Sequence, residues 1–284
     1  MKILNGAELA GFVKERQAHE VCSLKAQGIH PKLLIIRDSN NPVIMKYVGL
    51  KIRYGEDIGI DVEEFDADSF SKTCAVTTST QTNEPRDDAR EQAVREKVIQ
   101  SNSDPSIHGI IIQLPLTDKS HTDELCNLIA PEKDVDGLGK NAKFDSATAT
   151  AINWLLTGYD INLGSSKIAI VGRGKLVGAP LYKIFTSSGY DVELFHRGSD
   201  LTKLKQFDII ISATGVPGLI SDSMIKPGAV VVDAGTASEN GILKGDVADD
   251  VHARTDLTAI TPIKGGVGPL TISCLYDHLL QAST

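Results

Sequence analysis

The sequence is poor in several things at once. Of 284 residues only 4 are cysteine, 3 are methionine and 1 is tryptophan, and aromatic residues make up 5%. Cys22, Cys74, Cys126 and Cys274 lie far apart, with no C-x-x-C pair. A zinc knuckle or dithiol redox motif is therefore not expected, nor is a disulfide-built secreted scaffold at this length. No run approaches the roughly 18 consecutive apolar residues that a membrane span needs. Met1 to Gly6 carries no long apolar leader region. Basic residues are outnumbered too: 29 Lys and Arg against 37 Asp and Glu give a formal charge of −8. Such a chain is not expected to bind nucleic acid through a broad basic surface, although a local basic pocket for a phosphorylated small molecule stays open. The 7 histidines show no pair at metal spacing, so no metal is expected. These absences describe a cytoplasmic protein without nucleic-acid or membrane partners.

What is present fits a globular chain. Hydrophobic residues make up 41% and charged residues 23%. At about 150 residues per domain the length suggests two domains. Short β-branched runs occur at 33–36, 62–65, 109–112, 167–171, 191–195, 208–211, 229–232 and 258–260. Continuous apolar runs of this kind suit strands buried on both faces of a parallel sheet. Helical spacing fills the gaps, as in Leu9, Phe12, Val13, Val21 and Leu24, ending near Gly28. The alternation predicts a parallel α/β protein. A polar stretch, 132–145, then an apolar helix near Thr148–Leu156, place a domain boundary near residue 146. Thr77–Asn83 reads as a polar turn and 84–100 as a charged surface helix. A last apolar helix is expected from about Pro269, packing back on the first domain.

The second domain carries a nucleotide signal. Strand 167–171 runs into Gly172-Arg173-Gly174-Lys175-Leu176-Val177-Gly178 and then a helix start. Glycines at such a turn let the backbone approach a pyrophosphate, and the helix offers free N–H groups. The next strand ends in His196-Arg197-Gly198-Ser199, with no carboxylate at its tip for a ribose. Arg173, Arg197 and Ser199 suit a 2′-phosphate, which favours NADP over NAD, although nearby Asp200 leaves NAD possible. Thr214-Gly215 follows a third strand and leaves room for a flat ring.

The first domain carries a catalytic signal. Tyr47 and Lys51 share a helix face at four-residue spacing. A lysine in a desolvated or cationic setting can lose its proton near neutrality. Gln113 ends the apolar strand 109–112, where parallel sheets place ligands. Glu132-Lys133-Asp134-Val135-Asp136-Gly137 presents carboxylates in a turn, but a calcium loop would need glutamate where Lys143 stands.

Taken in order, these blocks resemble one family. Tyr47…Lys51, the run 112–116 with Gln113-Leu114-Pro115, Asp134-Val135-Asp136-Gly137, 171–180, 226–233, and 261–271 with Gly265-Gly266-Val267-Gly268-Pro269 are together similar to the bifunctional methylenetetrahydrofolate dehydrogenase/methenyltetrahydrofolate cyclohydrolases. The resemblance covers nearly the whole chain. It implies an N-terminal catalytic domain at 1–146, joined by the C-terminal helix 269–284, and a Rossmann-like NADP domain at 147–268, with folate in a cleft between them. It implies that Lys51 is the essential lysine, Gln113 holds and tunes it, Tyr47 stacks on folate, and Asp136 binds the pterin. Residues 265–269 would lie beside the folate. A homodimer formed through the Rossmann domains and a place in one-carbon metabolism and purine biosynthesis are implied as well.

The sequence also departs from the family pattern. Ile44 stands where serine is common, Ser146-Ala147-Thr148-Ala149 replaces Pro-Cys-Thr-Pro, and Lys264 adds a cation beside the presumed folate loop. These changes bear on the balance of the two activities. The alternatives are a dehydrogenase with weak or absent cyclohydrolase activity and a fold-retaining NADP-binding regulatory protein.

Overall fold

The computed structural model describes residues 1–70, 86–235, 237–239 and 242–284, without the side chains of 86–88, 237–239, 242 and 243. Cys74, the expected turn Thr77–Asn83 and the first two residues of the expected charged helix lie outside the described residues.

The chain divides into two compact units, each made of two stretches. One unit holds 14–145 and 275–284; the other holds 1–13 and 146–274. The first unit is built on a parallel sheet of order β3-β2-β4, from β2 (Lys32–Arg37), β3 (Asp61–Asp66) and β4 (Gly109–Ile112). Strand β2 is central because Leu33, Leu34, Ile35 and Ile36 are all fully buried. Helix α2 (Pro42–Ile58) links β2 to β3, and α3 (Arg86–Asn102) leads to β4. Ala93, Val94 and Val98 of α3 pack on Leu34, Ile36, Ile110 and Ile112. The chain leaves β2 for one side of the sheet and returns to the other at β4. This puts a topological switch point at the carboxyl ends of β2 and β4, where open α/β sheets place ligands.

The second unit carries a six-stranded parallel sheet of order β1-β11-β8-β7-β5-β6. Its strands are β1 (Lys2–Ile3), β5 (Lys167–Val171), β6 (Asp191–Phe195), β7 (Ile209–Ser212), β8 (Val230–Asp233) and β11 (Ala259–Ile260). A two-stranded antiparallel hairpin, β9 (Ala237–Glu239) and β10 (Ile242–Lys244), follows β8. Helix α5 (Ala147–Gly158) opens the unit and α6 (Gly178–Ser187) crosses from β5 to β6. Here the switch point lies between β5 and β7.

Three expectations differ from the structure. The resemblance implies a catalytic domain that starts at residue 1, but Lys2 and Ile3 pair with Ala259 and Ile260 as the edge of the other unit's sheet. Their partners lie far along the chain, where no local pattern reports them. Phe12 has core spacing in α1 (Gly6–Ala26) yet is 65% exposed. The last helix, α8 (Val267–Ala282), starts two residues before Pro269, and the unit division falls inside it after Cys274.

Close backbone packing fixes the start of α1. The Ala7 amide donates to the Gly265 carbonyl at 3.0 Å, and a Cβ on Gly6 would overlap the carbonyl of Gly266. Backbone cannot swing aside as a side-chain end can. Gly6→Ala should cost about 1–3 kcal/mol, seen as a lower melting temperature in thermal denaturation.

Candidate active site

Lys51 is positioned by α2. Asn41 caps that helix, its side chain accepting from the Val43 amide at 2.9 Å, with Pro42 in the first turn. Gly59, at φ 82°, closes the other end. Ile44, Val48, Lys51, Gly55 and Ile58 form its buried face. Lys51 therefore occupies a place in an apolar stripe and is only 9% exposed. Its Nζ donates to Gln113 Oε1 at 2.8 Å. Burial pushes its amine pKa below the ordinary lysine value, while the Asp136 carboxylate opposes that shift.

Gln113 directly follows β4, at the switch point. Its backbone amide donates to the Ile36 carbonyl at 2.8 Å, continuing the ladder. Its Nε2 donates to the Leu114 carbonyl at 2.8 Å. That bond settles which end of the side-chain amide faces Lys51, because only the oxygen is left to accept. Tyr47 is half-buried one turn before Lys51.

Asp136 sits in a loop held by its neighbour. Asp134 is 1% exposed and accepts from the amides of Gly137 (3.0 Å), Leu138 (3.1 Å) and Gly139 (2.6 Å). Burial raises the Asp134 pKa, those amides lower it, and Asp136 raises it again. The loop is tied to β4 through the Ile110 amide and the Lys133 carbonyl, at 2.8 Å. The structure thus brings Lys51, Gln113 and Asp136 together. In the sequence Asp134 stands out only as a carboxylate of the turn. Its signal was the pair of glycines at Gly137 and Gly139, whose amides it collects.

In the other unit the glycine turn lies at the β5–β7 switch point. Gly172 has φ 112°, and a Cβ there would overlap the Ala213 carbonyl. A Cβ on Gly178 would overlap the Gly172 carbonyl, so α6 starts hard against the strand end. Gly174 has open space where a side chain would stand. Val177 caps α6 without any side-chain hydrogen bond. Lys175 lies on the same turn, and the Ser146 hydroxyl anchors it by donating to the Leu176 carbonyl at 2.6 Å. After β6, the His196 amide donates to the Ser199 hydroxyl at 3.0 Å. Arg173 and Arg197 are exposed. Asp200 instead takes the Thr202 amide and hydroxyl, at 3.0 and 2.6 Å. After β7, the Thr214 amide donates to Asp246 at 2.6 Å, and Gly215 turns the chain with φ 68°. An open glycine beside a free helix start, with Arg173 just before it and Arg197 after the next strand, fits a phosphorylated dinucleotide. Gly265, Gly266, Val267, Gly268 and Pro269 belong to this same unit; Gly266 and Val267 are buried and Gly268 is exposed.

Glu91, His121 and Glu124 have the composition of a metal site. However, Arg95 already pairs with Glu91 at 2.8 Å and Glu124 at 2.7 Å. The two ring nitrogens of His121 face different carboxylates, which is the arrangement of an ion-pair cluster.

Family models cover almost the whole chain. Residues 4–136 match the catalytic domain of tetrahydrofolate dehydrogenase/cyclohydrolase, and 146–284 match its NAD(P)-binding domain. The chain belongs to this family. The bifunctional protein FolD of Macrococcus caseolyticus is 34% identical, across 99% of this chain and 97% of that protein. FolD of Staphylococcus epidermidis is also 34% identical, across 99% and 96%. Among solved structures, the bifunctional FolD of Campylobacter jejuni superposes with a TM-score of 0.86 at 30% identity, covering 100% of this chain and 98% of that one. The Trypanosoma brucei enzyme, solved with NADP and an inhibitor, gives 0.83 at 27% identity, covering 99% and 96%. Family membership, the two-domain α/β fold and the parallel-sheet nucleotide domain therefore agree with the sequence reading.

The Asp134 arrangement generates a direct test. Asp134→Asn keeps the shape but removes the charge that three amides face. It should destabilise the protein by about 1.5–3 kcal/mol. Urea denaturation would measure the loss, and limited proteolysis would show cleavage opening at 134–139.

Proposed function

We propose that this chain oxidises 5,10-methylenetetrahydrofolate with NADP and hydrolyses the 5,10-methenyl product to 10-formyltetrahydrofolate. The observation that carries this reading is the buried Lys51 amine hydrogen-bonded to Gln113 Oε1. The methenyl product is a cation, and an ammonium beside it would oppose its formation. Burial favours a neutral Lys51, which removes that opposition. NADP, when bound, supplies the acceptor for the electron pair that the methylene carbon loses.

The hydrolytic half needs proton transfers that this chain's residues can perform. Water adds to the methenyl carbon and gives a proton to the Lys51 nitrogen. The C–N5 bond then breaks as N5 takes that proton, and the adduct's hydroxyl proton passes to the Lys51 nitrogen and on to solvent as the formyl C=O forms, so one proton is released per turnover. Gln113 accepts one N–H of Lys51 and so orients its lone pair. Asp136 takes the pterin, Tyr47 stacks on the folate, and 265–269 line it. Gly172, Arg173, Gly174, Lys175, Val177 and Gly178 receive the pyrophosphate. His196, Arg197 and Ser199 receive the 2′-phosphate, and Thr214 and Gly215 flank the nicotinamide. Asp200 uses one carboxylate oxygen to cap the turn at Thr202.

The same reading makes the protein a cytoplasmic homodimer in one-carbon metabolism that feeds purine biosynthesis. No described helix is long and apolar enough to cross a membrane. A second reading keeps the oxidation and weakens the hydrolysis. It is favoured by Ile44, which is 6% exposed and apolar where the family commonly has serine.

Four measurements bear on these assignments. Mixing 5,10-methylenetetrahydrofolate with NADP, and following methenyl formation and decay separately, should show both activities; no turnover with NADP or NAD would favour a regulatory protein. Lys51→Met should lower methenyl hydrolysis by about 10²–10⁴-fold and leave NADP affinity unchanged in a fluorescence titration. Because Lys51 must be neutral to accept a proton, hydrolysis should fall on the acid side of its depressed pKa and rise above it. Arg197→Ser should raise the KM for NADP by about tenfold, the size of one lost charge-assisted hydrogen bond, with little effect on NAD.

A further inference from the structure

Two side chains of α8 grip the backbone of both catalytic segments. Tyr276 is fully buried, and its hydroxyl donates to the Lys51 carbonyl at 2.7 Å. Residues 51 and 55 are an i, i+4 pair, so the hydroxyl sits beside the rung of α2 that begins at the lysine itself. Gly55 makes this possible, because a Cβ there would overlap the Tyr276 hydroxyl and Val62. The ring is fixed by stacking on Tyr54 at 5.1 Å, and the Tyr54 hydroxyl donates to Gln17 at 2.8 Å. Burial pushes the Tyr276 pKa far up, so the hydroxyl stays a donor across the working pH range.

The second grip lies two residues on. His278 is 6% exposed, and its Nδ1 meets the Val135 carbonyl at 2.9 Å. A carbonyl only accepts, so Nδ1 carries the proton. The imidazole stacks on Phe144 at 4.8 Å. Val135 lies between Asp134 and Asp136 in the chain.

We infer that Tyr276 and His278 are positioning residues, which set the Lys51 amine against Gln113 and Asp136 by holding the backbone at Lys51 and Val135. The inference rests on the function proposed above. It reaches further, because neither side chain touches the reacting atoms. Asp136 is the charged group that acts on Lys51; the titratable groups that act on the Tyr276 hydroxyl are the Tyr54 phenol and the Glu56 carboxylate.

The test uses the full-length protein and two pairs of readouts. Tyr276→Phe keeps the ring and its stacking but removes the hydroxyl. It should lower kcat for methenyl hydrolysis by about tenfold, a fraction of what a full ångström of misplacement costs, with KM within about twofold. The acid limb of its pH profile should move. His278→Leu should behave likewise, while His278→Asn, which keeps a donor near the Nδ1 position, should restore the wild-type rate. A direct measurement that needs no substrate follows the Lys51 Nζ titration by NMR in wild type and Tyr276→Phe. A moved midpoint supports the positioning role. An unchanged midpoint with unchanged kcat overturns it, as does equal loss in His278→Leu and His278→Asn. If the wild type itself shows no turnover, the proposed function fails, and the NMR titration still decides the role of Tyr276. If Tyr276→Phe does not fold, the two His278 variants decide it.

Discussion

Placing an amine in an apolar stripe costs hydration, and the catalytic unit is organised around meeting that cost. The Lys51 nitrogen gives up water for one hydrogen bond, to Gln113. Burial disfavours charge on it and pushes its pKa below the ordinary lysine value. For this to hold, Gln113 must present its oxygen and nothing else. Strand β4 provides that by continuing its ladder through the Gln113 amide, and the Leu114 carbonyl takes the side-chain nitrogen. The nearby carboxylate of Asp136 moderates the depression without cancelling it.

The nucleotide unit meets a different constraint, which is steric. Its turn works because two glycines let three pieces of backbone approach closely: the end of β5, the end of β7 and the start of α6. A helix start left without a side-chain cap then faces a glycine with open space beside it. The two units thus use glycine and burial for opposite ends. In one, the missing Cβ opens a place for a ligand; in the other, at Gly55, it opens a place for the protein's own tyrosine.

Most of the architecture was legible in the sequence because buried parallel strands are continuous apolar runs. All eight such runs are strands in the structure, within a residue or two at their ends. Strand β1 and the β9–β10 hairpin were not legible, although β11, also two residues long, was. The site was legible in part. Tyr47, Lys51, Gln113 and Asp136 stand at motif positions, and the glycine turn has its spacing. A further clue lay in the stripe Ile44, Val48, Lys51, Gly55, Ile58, where a lysine fills a position that helical periodicity reserves for the core. Tyr276 and His278 were not legible, because they lie among apolar residues of a helix and bond to backbone far away in sequence. No local spacing reports a partner more than a hundred positions off.

The division of the chain has a consequence for the order in which the site can be made. The unit that carries Lys51 and Asp136 is closed by 275–284, yet those residues are translated only after the whole of 146–274. Until they emerge, the Lys51 carbonyl and the Val135 carbonyl lack their grips, and Gly109 lacks its Leu279 neighbour. The nucleotide unit also waits, since its edge strand comes from residues 2–3 and is present before the sheet it joins. Each half therefore holds a piece that belongs with the other, and neither reaches its final form as a growing stretch of chain. The catalytic unit is completed only by residues 275–284, after the whole of 146–274 has been made.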